Sequence, residues 1–281
     1  REWGVHFAMG GTGALVDALH KLMEEVGVAI KTQTTISSLK ISGDTVTGVN
    51  FEDGSSEDAD IVISNVDPMH LYNHMVPTSA QTWSTRIKRK HARLSMGLYV
   101  LYFGTTKQYP DVAHHTIWLG ERYEELLSDI FKRKHLAEDF SLYVHRPTAT
   151  DPSFAPEGCD SFYVLAPVPN LDAGIDWSVE GKPLQDRIVR ALSETMLPGL
   201  EEHITADFFM TPQDFKHDYL SAAGAGFSIA PFFTQSAWFR FHNKAEGLKG
   251  LYLTGAGTHP GAGMPGVLCS AKVVEKLLPK V

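Results

Sequence analysis

The residues whose types and spacing best suit chemistry are five closely spaced glycines near the C-terminus, Gly255, Gly257, Gly261, Gly263 and Gly266. The apolar residues 251–253 before them predict a short buried strand, and apolar residues recur at helical spacing after Pro265. Glycines let a ligand approach the backbone, and the free N–H groups at the start of a helix attract anions. The segment therefore has the pattern of half a nucleotide or flavin site. A tight strand-to-helix turn without a ligand is the alternative.

This glycine segment also contains a literal match to the dinucleotide-binding fingerprint G-x-G-x-x-G, from Gly261 to Gly266. That fingerprint opens a βαβ unit, in which a second strand carries an acidic residue about 20 residues further on. Because the sequence ends at Val281, we expect no second strand after the helix. We therefore reject the match as a primary flavin-binding loop.

No side-chain arrangement for acid–base or nucleophilic catalysis stands out, so the catalytic residues stay unknown. His114 and His115 suggest a metal site, but adjacent residues on a strand point to opposite faces and do not easily share one ion. We expect a structural or pocket-lining role for this pair, and no metal. The other candidates for catalysis are also expected to be structural: Asp214, Asp218, His242 and His259.

Composition indicates an ordinary globular protein and excludes some functions. Hydrophobic residues make up 43% of the 281 residues and charged residues 21%, a balance that excludes disorder. A net charge of -8 argues against nucleic-acid binding, which usually requires a basic face. The two cysteines lack metal spacing and suit a reduced cytoplasmic compartment. No apolar run approaches the roughly 20 residues of a membrane-spanning helix.

The first residues predict a strand followed by a helix. Alternating apolar side chains indicate a strand over residues 1–9, formed by Trp3, Val5 and Phe7. After the glycines at 10–13 we predict a helix that Thr12 caps and that ends at Gly27 in the left-handed conformation. The apolar stripe of this helix consists of Leu15, Ala18, Leu19, Leu22 and Val26.

Asn65 is a further candidate for ligand binding, because it follows a predicted strand. Residues 61–63 form a continuous apolar run, as expected of a strand that is covered on both faces. Doubly wound sheets bind ligands outside the carboxyl ends of their strands, where Asn65 would lie. A plain Asx turn leading to Pro68 explains Asn65 equally well.

The middle of the chain contains three segments that could contact substrate or membrane. The basic cluster at 86–93 is either a solvated face or a rim that contacts lipid headgroups. Residues 121–131 predict an amphipathic helix, whose apolar side packs in the core or contacts a membrane. The most aromatic segment spans 227–242 and suits the walls of a site for a long hydrocarbon, or an ordinary core strand. Its candidate substrate-lining residues are Phe227, Trp238 and Phe239.

Taken together, these motifs resemble the amine-oxidase-like flavoproteins, and more narrowly the bacterial and fungal phytoene desaturases. The similar segments run along nearly the whole chain and include EWGVHFAMGGTGALVDAL, AHHTIWLG, APEGCDSFYVLAPVPNL, TQSAWFRFHN and GAGTHPGAGMPGV. The resemblance implies an FAD enzyme that desaturates a long C40 polyene. Members of the family begin with an N-terminal flavin unit that this sequence lacks, so we expect the chain to be the C-terminal part of a longer protein.

The resemblance implies an α/β (mixed α+β) fold, with a partial Rossmann-like FAD domain and an inserted mixed-sheet and helical substrate domain. Residues 1–9 would start a substrate-domain strand, 10–70 and 246–281 would belong to the FAD domain, and 71–245 would form the substrate and membrane-associated domain. The residues that would bind FAD are Ile36 through its backbone, Asn65, and the glycine segment at Gly255, Ala256, Gly257, Gly263, Met264, Pro265, Gly266 and Val267.

In the family the helix that starts near Pro265 points its N-terminus at the pyrimidine end of the flavin ring. The partial positive charge there favours the anionic reduced flavin. The partners implied are a long hydrophobic polyene, a membrane surface in a cytoplasmic, peripheral attachment, and the missing N-terminal FAD-binding part, with no nucleic acid. Three alternatives stay open: a desaturase of another carotenoid such as a C30 diapophytoene, a carotene isomerase, and an inert fragment with only a structural or binding role.

Overall fold

The computed structural model describes residues 6–280, which form ten strands and eight α-helices. The strands are β1 (Ile36–Ser42), β2 (Thr45–Phe51), β3 (Ser56–Asp58), β4 (Val62–Ser64), β5 (Gly97–Thr105), β6 (His115–Trp118), β7 (Leu142–His145), β8 (Asp160–Val168), β9 (Ile204–Met210) and β10 (Leu251–Leu253). The helices are α1 (Gly11–Glu25), α2 (Pro68–His70), α3 (Trp83–His91), α4 (Tyr123–Ser128), α5 (Trp177–Glu194), α6 (Leu200–His203), α7 (Pro212–Asp218) and α8 (Met264–Leu277). Two of them continue as π-helical turns, α2 into Leu71–Met75 and α4 into Asp129–Arg133.

The larger sheet has five antiparallel strands in the order β6-β7-β8-β5-β9. Strand β8 alternates strictly between buried and half-buried residues, whereas β5 is buried almost throughout. Helix α5 covers one face of this sheet with Leu184, Ile188 and Leu192, which are fully buried. The sheet and this helix therefore form a core of their own.

A second core joins two smaller sheets. Strands β1, β2 and β3 form an antiparallel sheet, and β4 and β10 pair in parallel. Leu251 and Leu253 of β10 are fully buried beside Leu71, and Tyr72 stacks on Phe241 with ring centroids 5.6 Å apart. The predicted mixed α/β fold is thus confirmed, but the five-stranded sheet is antiparallel throughout rather than mixed.

Helix α1 has its apolar stripe exposed rather than packed. It starts after Gly10, which has a left-handed backbone (φ 81°) and whose N–H donates to Asp151 Oδ2 at 2.8 Å. The prediction that Thr12 caps the helix is wrong, because the cap is Gly10 and no side chain bonds there; Gly27 is left-handed (φ 81°) as predicted. The exposed apolar residues are Leu15, Val16, Leu19, Leu22, Met23 and Val26.

Two further predictions from the sequence differ from the structure. Of the strand predicted over 1–9, residues 1–5 lie outside the described residues and residues 6–8 have no regular structure, because Phe7 packs on His114 instead of pairing in a sheet. Strand β4 is not covered on both faces, since Ile63 is 50% exposed. Within residues 6–280, no helix is both long and apolar enough to cross a membrane.

Candidate functional site

The glycine segment and Asn65 meet at the carboxyl edge of the parallel pair β4 and β10. Leu253 lies opposite Ser64, and the next residue, Thr254, donates its N–H to the Ser64 carbonyl at 2.8 Å. Asn65 and Gly255 therefore follow adjacent strands. A Cβ added to Gly255 would lie 3.2 Å from the Asn65 carbonyl oxygen, so only a residue without a side chain fits this close approach. The structure thus brings two of the predicted site residues together.

Arg240 is hydrogen-bonded to the backbone of the glycine loop, a role for which the sequence carries no local signal. Its side chain is buried, and its Nε donates to the Thr258 carbonyl at 2.9 Å. Its Nη2 donates to the carbonyls of Ala256 at 2.6 Å and Ile229 at 3.4 Å. Burial lowers the pKa of the guanidinium and the nearby Asp67 carboxylate opposes this, but arginine keeps its proton throughout the ordinary pH range.

The start of α8 is open and carries no capping side chain. Its N-cap is Gly263, with φ 94° and no atom within 4 Å of an added Cβ, and no acidic residue lies in the first turn. Met264 and Pro265 are exposed, while Gly266 and Val267 are half-buried. A Cβ on Gly266 would lie 2.7 Å from the Gly261 carbonyl oxygen, so this glycine is needed for the loop to fold against the helix.

Ser270 of α8 fixes the distance between the loop and the helix. Its buried hydroxyl accepts a hydrogen bond from Gly255 N–H at 2.9 Å and donates to the Val267 carbonyl at 2.5 Å. Gly257 adds a packing contact, because a Cβ there would lie 2.3 Å from Pro68 Cδ. These contacts therefore hold the loop rigidly at the N-terminus of α8.

These features fit a flavin. A helix start that is free of caps and acidic side chains presents N–H groups and a partial positive charge to an anionic group. Here it stands beside the carboxyl edge of a parallel strand pair, where nucleotide ligands bind in open α/β sheets. Ile36 lies apart from this edge: it is the first residue of β1, pairs with Phe51 and is 38% exposed. Its predicted backbone contact to FAD stays a prediction.

The structure also contains a mainly apolar cavity of about 760 Å³, which neither Asn65 nor the glycine segment lines. The segment 228–232 connects this cavity to the glycine segment: Ser228 Oγ would lie 2.7 Å from a Cβ on Gly257, and Ala230, Pro231 and Phe232 line the cavity. Further apolar walls come from Leu94, Met96, Leu127, Ile130 and Phe131. Leu127, Ile130 and Phe131 belong to the apolar side of the amphipathic segment 121–131, which the sequence predicted. The pattern did not indicate which other segments this side would contact.

The three predicted substrate-lining residues, Phe227, Trp238 and Phe239, do not line this cavity. Phe239 lines a second cavity of about 330 Å³ together with Trp83, Ile87 and Phe241. Phe227 and Trp238 line neither of these two cavities. Trp238 is 77% exposed and packs on the ring of His242 at 4.8 Å between centroids.

The expectation that His114 and His115 point apart is wrong. His114 precedes β6 and only His115 belongs to the strand, so the strand alternation does not apply to the pair. Their rings lie 4.3 Å apart between centroids, and the ring of His145 on β7 lies 4.7 Å and 5.2 Å from them. Burial, and then the neighbouring histidines, lower the pKa of His145 to about 4.

Among the remaining candidates, Asp214 is structural as expected. Its Oδ2 accepts hydrogen bonds from the N–H and the hydroxyl of Thr211, both at 2.7 Å, and so closes a capping box at the start of α7. A carboxylate engaged in this way is not available as a base.

Comparisons with known proteins show the family to which the chain belongs. The family model described as flavin containing amine oxidoreductase matches residues 2–274. The chain is 46% identical to a neurosporene-forming phytoene desaturase of Rhodobacter capsulatus, over 99% of this chain and 54% of that protein. It is 45% identical to a lycopene-forming phytoene desaturase of Pantoea ananas, over 99% of this chain and 57% of that protein. The chain thus spans about half the length of these curated relatives.

A solved structure shares the fold. An oxidoreductase from Methanosarcina mazei matches with a TM-score of 0.65 and 17% sequence identity, over 95% of this chain and 55% of that one.

Proposed function

The chain belongs to the flavin-containing amine oxidoreductase family, and we propose that it is the C-terminal part of an FAD-dependent phytoene desaturase. The observation that carries this proposal is the open N-terminus of α8, which stands at the carboxyl edge of β4 and β10 and is joined by segment 228–232 to a mainly apolar cavity. A candidate flavin site whose supporting segment also lines an apolar cavity suits a hydrocarbon substrate. The identities of 46% and 45% to two phytoene desaturases support the choice of substrate.

The bound flavin would supply the oxidation itself, by accepting a hydride from one carbon of a CH–CH single bond next to a polyene, while the neighbouring carbon gives up a proton to form the double bond. The substrate has no carbonyl or hydroxyl to polarise, so the chain's own residues have two tasks. The backbone N–H groups of Gly263, Met264 and Gly266 would stabilise negative charge on the cofactor ring, since Pro265 has no N–H and that of Val267 donates to the Gly263 carbonyl. The apolar walls, such as Phe131 and Phe232, align the polyene and exclude water. No catalytic base is assigned.

The uncovered apolar surfaces support an additional N-terminal FAD-binding part. Within residues 6–280 the parallel pair has two strands, and β4 is its free edge because β10 also bonds to residues 243–245. Ile63 of β4 is exposed, whereas parallel sheets are normally covered on both faces. The stripe of α1 is exposed as well, and Leu268 on α8 is 56% exposed. Further strands beside this pair, contributed by the missing part, would cover these side chains and provide the pyrophosphate loop.

We also propose that the protein attaches peripherally to a membrane, from which the hydrophobic substrate would enter. Four aromatic residues are exposed: Trp83, Phe233, Trp238 and Phe239. We call these four residues the aromatic surface. Trp83 starts α3, whose last turn carries Lys88, Arg89, Lys90 and His91. Aromatic rings beside basic side chains suit the headgroup region of a bilayer.

The test uses the longer protein that this proposal implies, purified in detergent. Its visible spectrum is recorded, phytoene is added without oxygen, and the pigments are separated by chromatography. We expect a flavin spectrum that bleaches as yellow or red desaturated products form. A flavin spectrum unchanged by phytoene but bleached by a C30 precursor would favour the diapophytoene alternative, and a rearranged product without bleaching would favour isomerisation. Absence of flavin would refute the proposal.

A further inference from the structure

A cluster of three histidines forms at the outer edge of the five-stranded sheet. The antiparallel pairing of β6 with β7 sets His115 directly opposite His145, and His114 precedes β6. One possible ligand atom from each of these residues lies within 4.8 Å of the others, and within residues 6–280 they form the only group of three or more histidine, cysteine or acidic side chains placed in this way. None of the three lines the two cavities described above.

One distance within the cluster matches the separation of two ligands of one metal ion. The Nδ1 atoms of His115 and His145 lie 3.4 Å apart. Two nitrogens bound to one tetrahedral zinc ion, at Zn–N distances of about 2.0–2.1 Å, are separated by roughly 3.4 Å. Tyr143 Oη lies 2.6 Å from the first of these nitrogens and 3.3 Å from the second. Three donor atoms thus already surround one small volume.

His114 provides the observation that points to a ligand. Its Nδ1 bonds to Thr150 Oγ1 at 2.5 Å, which fixes the ring orientation in the way that the second hydrogen bond of a metal-binding imidazole does. Its Nε2 is buried and has no hydrogen-bond partner among the described residues. Hydrogen bonds through Tyr143 can satisfy His115 and His145 without a metal, but they leave this nitrogen unpaired.

We propose that His114, His115 and His145 bind a divalent transition metal ion such as Zn²⁺, with Tyr143 Oη as a fourth donor. Imidazole nitrogens suit zinc, copper and nickel, whereas Mg²⁺ and Ca²⁺ require several oxygen ligands that the cluster lacks. Phe7 covers one side, with its ring 4.5 Å from that of His114.

The ion would join segments that are distant in sequence. It would fasten β6 to β7 at the end of the sheet, and through Thr150 it would fix the turn whose Asp151 accepts the Gly10 N–H at the start of α1. The expected role is therefore structural, at the boundary between the sheet and α1. This inference does not depend on the substrate or the cofactor.

The test is equilibrium dialysis of the purified full-length protein against micromolar Zn²⁺, followed by metal analysis. We expect about one zinc ion per chain, and a higher thermal midpoint when zinc is present. His145→Ala and His114→Ala should each weaken binding at least about tenfold, and Tyr143→Phe should weaken it less. The matched control is His74→Ala, which removes a histidine from a pair whose rings are 4.7 Å apart on another element. Cys159→Ser controls for thiol binding.

Unchanged zinc binding in both His114→Ala and His145→Ala would overturn the proposal, as would loss of binding in either control or no binding at all. If the cluster variants do not fold, the wild-type protein decides: electron paramagnetic resonance of bound Cu²⁺ should show splitting from three imidazole nitrogens. A spectrum with fewer nitrogens, or with sulfur ligation, would overturn the proposal.

Discussion

Replacement of Arg240 tests whether the glycine loop is held by one buried cation. The guanidinium bonds to the carbonyls of Thr258 at 2.9 Å, Ala256 at 2.6 Å and Ile229 at 3.4 Å. Arg240→Met keeps an unbranched apolar side chain but removes all the N–H donors of the guanidinium. The carbonyl oxygens then stay buried without their partner, since the side chain that paired with them is only 4% exposed.

The expected loss follows from the two short bonds. A hydrogen bond to a charged group contributes about 1.5–3 kcal/mol, so two of them amount to about 3–6 kcal/mol. Removal of the buried cation also removes the cost of its desolvation, which offsets part of this loss of stability. We therefore expect Arg240→Met to lower the free energy of unfolding by about 3 kcal/mol. Arg240→Lys should lose about half as much, because one ammonium group cannot reach all three carbonyls in the planar geometry of a guanidinium.

The assay is urea unfolding of the full-length protein, together with the flavin content of the folded protein. The flavin content of Arg240→Met should fall with its stability, since the loop leads directly into α8. The matched control is Arg190→Met, an exposed arginine on α5, which should change stability by less than about 0.5 kcal/mol. If Arg240→Met unfolds within about 1 kcal/mol of the wild type and keeps its flavin, the assigned role of Arg240 is refuted.

Three further predictions concern the cofactor, the cavity and the membrane. Gly266→Val should weaken flavin binding by about 1–3 kcal/mol, because its Cβ overlaps the backbone of the loop. Val267→Ala should have little effect, and fluorescence titration with FAD would compare the affinities of the two variants. Phe131→Ala should lower kcat/KM for phytoene about tenfold without altering the flavin spectrum, and an unchanged kcat/KM would exclude this wall from substrate binding. Trp83→Ser should weaken flotation with anionic vesicles by about 1–2 kcal/mol, whereas Phe208→Ser, an exposed aromatic residue on β9, should not; equal behaviour of the two would count against the aromatic surface.

The parts of the site that follow from local chain chemistry were predictable from the sequence. A strand, a glycine-rich turn and a helix start after Gly263 all appear within one short segment, and each has a local signal. The position of Asn65 followed from a general rule about the carboxyl ends of strands, and the structure indeed sets it against Gly255. Local patterns of this kind do not depend on what packs around them.

The parts that depend on contacts between distant segments were not predictable. Arg240 is one of several polar residues in an aromatic segment, and nothing local indicates that it reaches the carbonyls of Ala256 and Thr258. The pairing of His115 with His145 depends on the register of β6 and β7, which lie far apart in the sequence. Strand alternation gave the wrong orientation for His114 because the strand starts one residue later.

The distribution of buried surface indicates how flavin binding and stability would be linked. The five-stranded sheet has a closed core, with Leu101, Val144 and Ile188 fully buried. In contrast, Ile63 of β4 and the apolar stripe of α1 are exposed, although β10 itself is buried. Cofactor and further strands would therefore stabilise the half that contains the glycine loop far more than the sheet. Hydrogen exchange should accordingly show strong protection in β5 and β8 with or without flavin, and protection in β4 and β10 that rises when flavin binds. Equal protection of both sheets in the flavin-free protein would mean that the exposed stripe of α1 needs no partner.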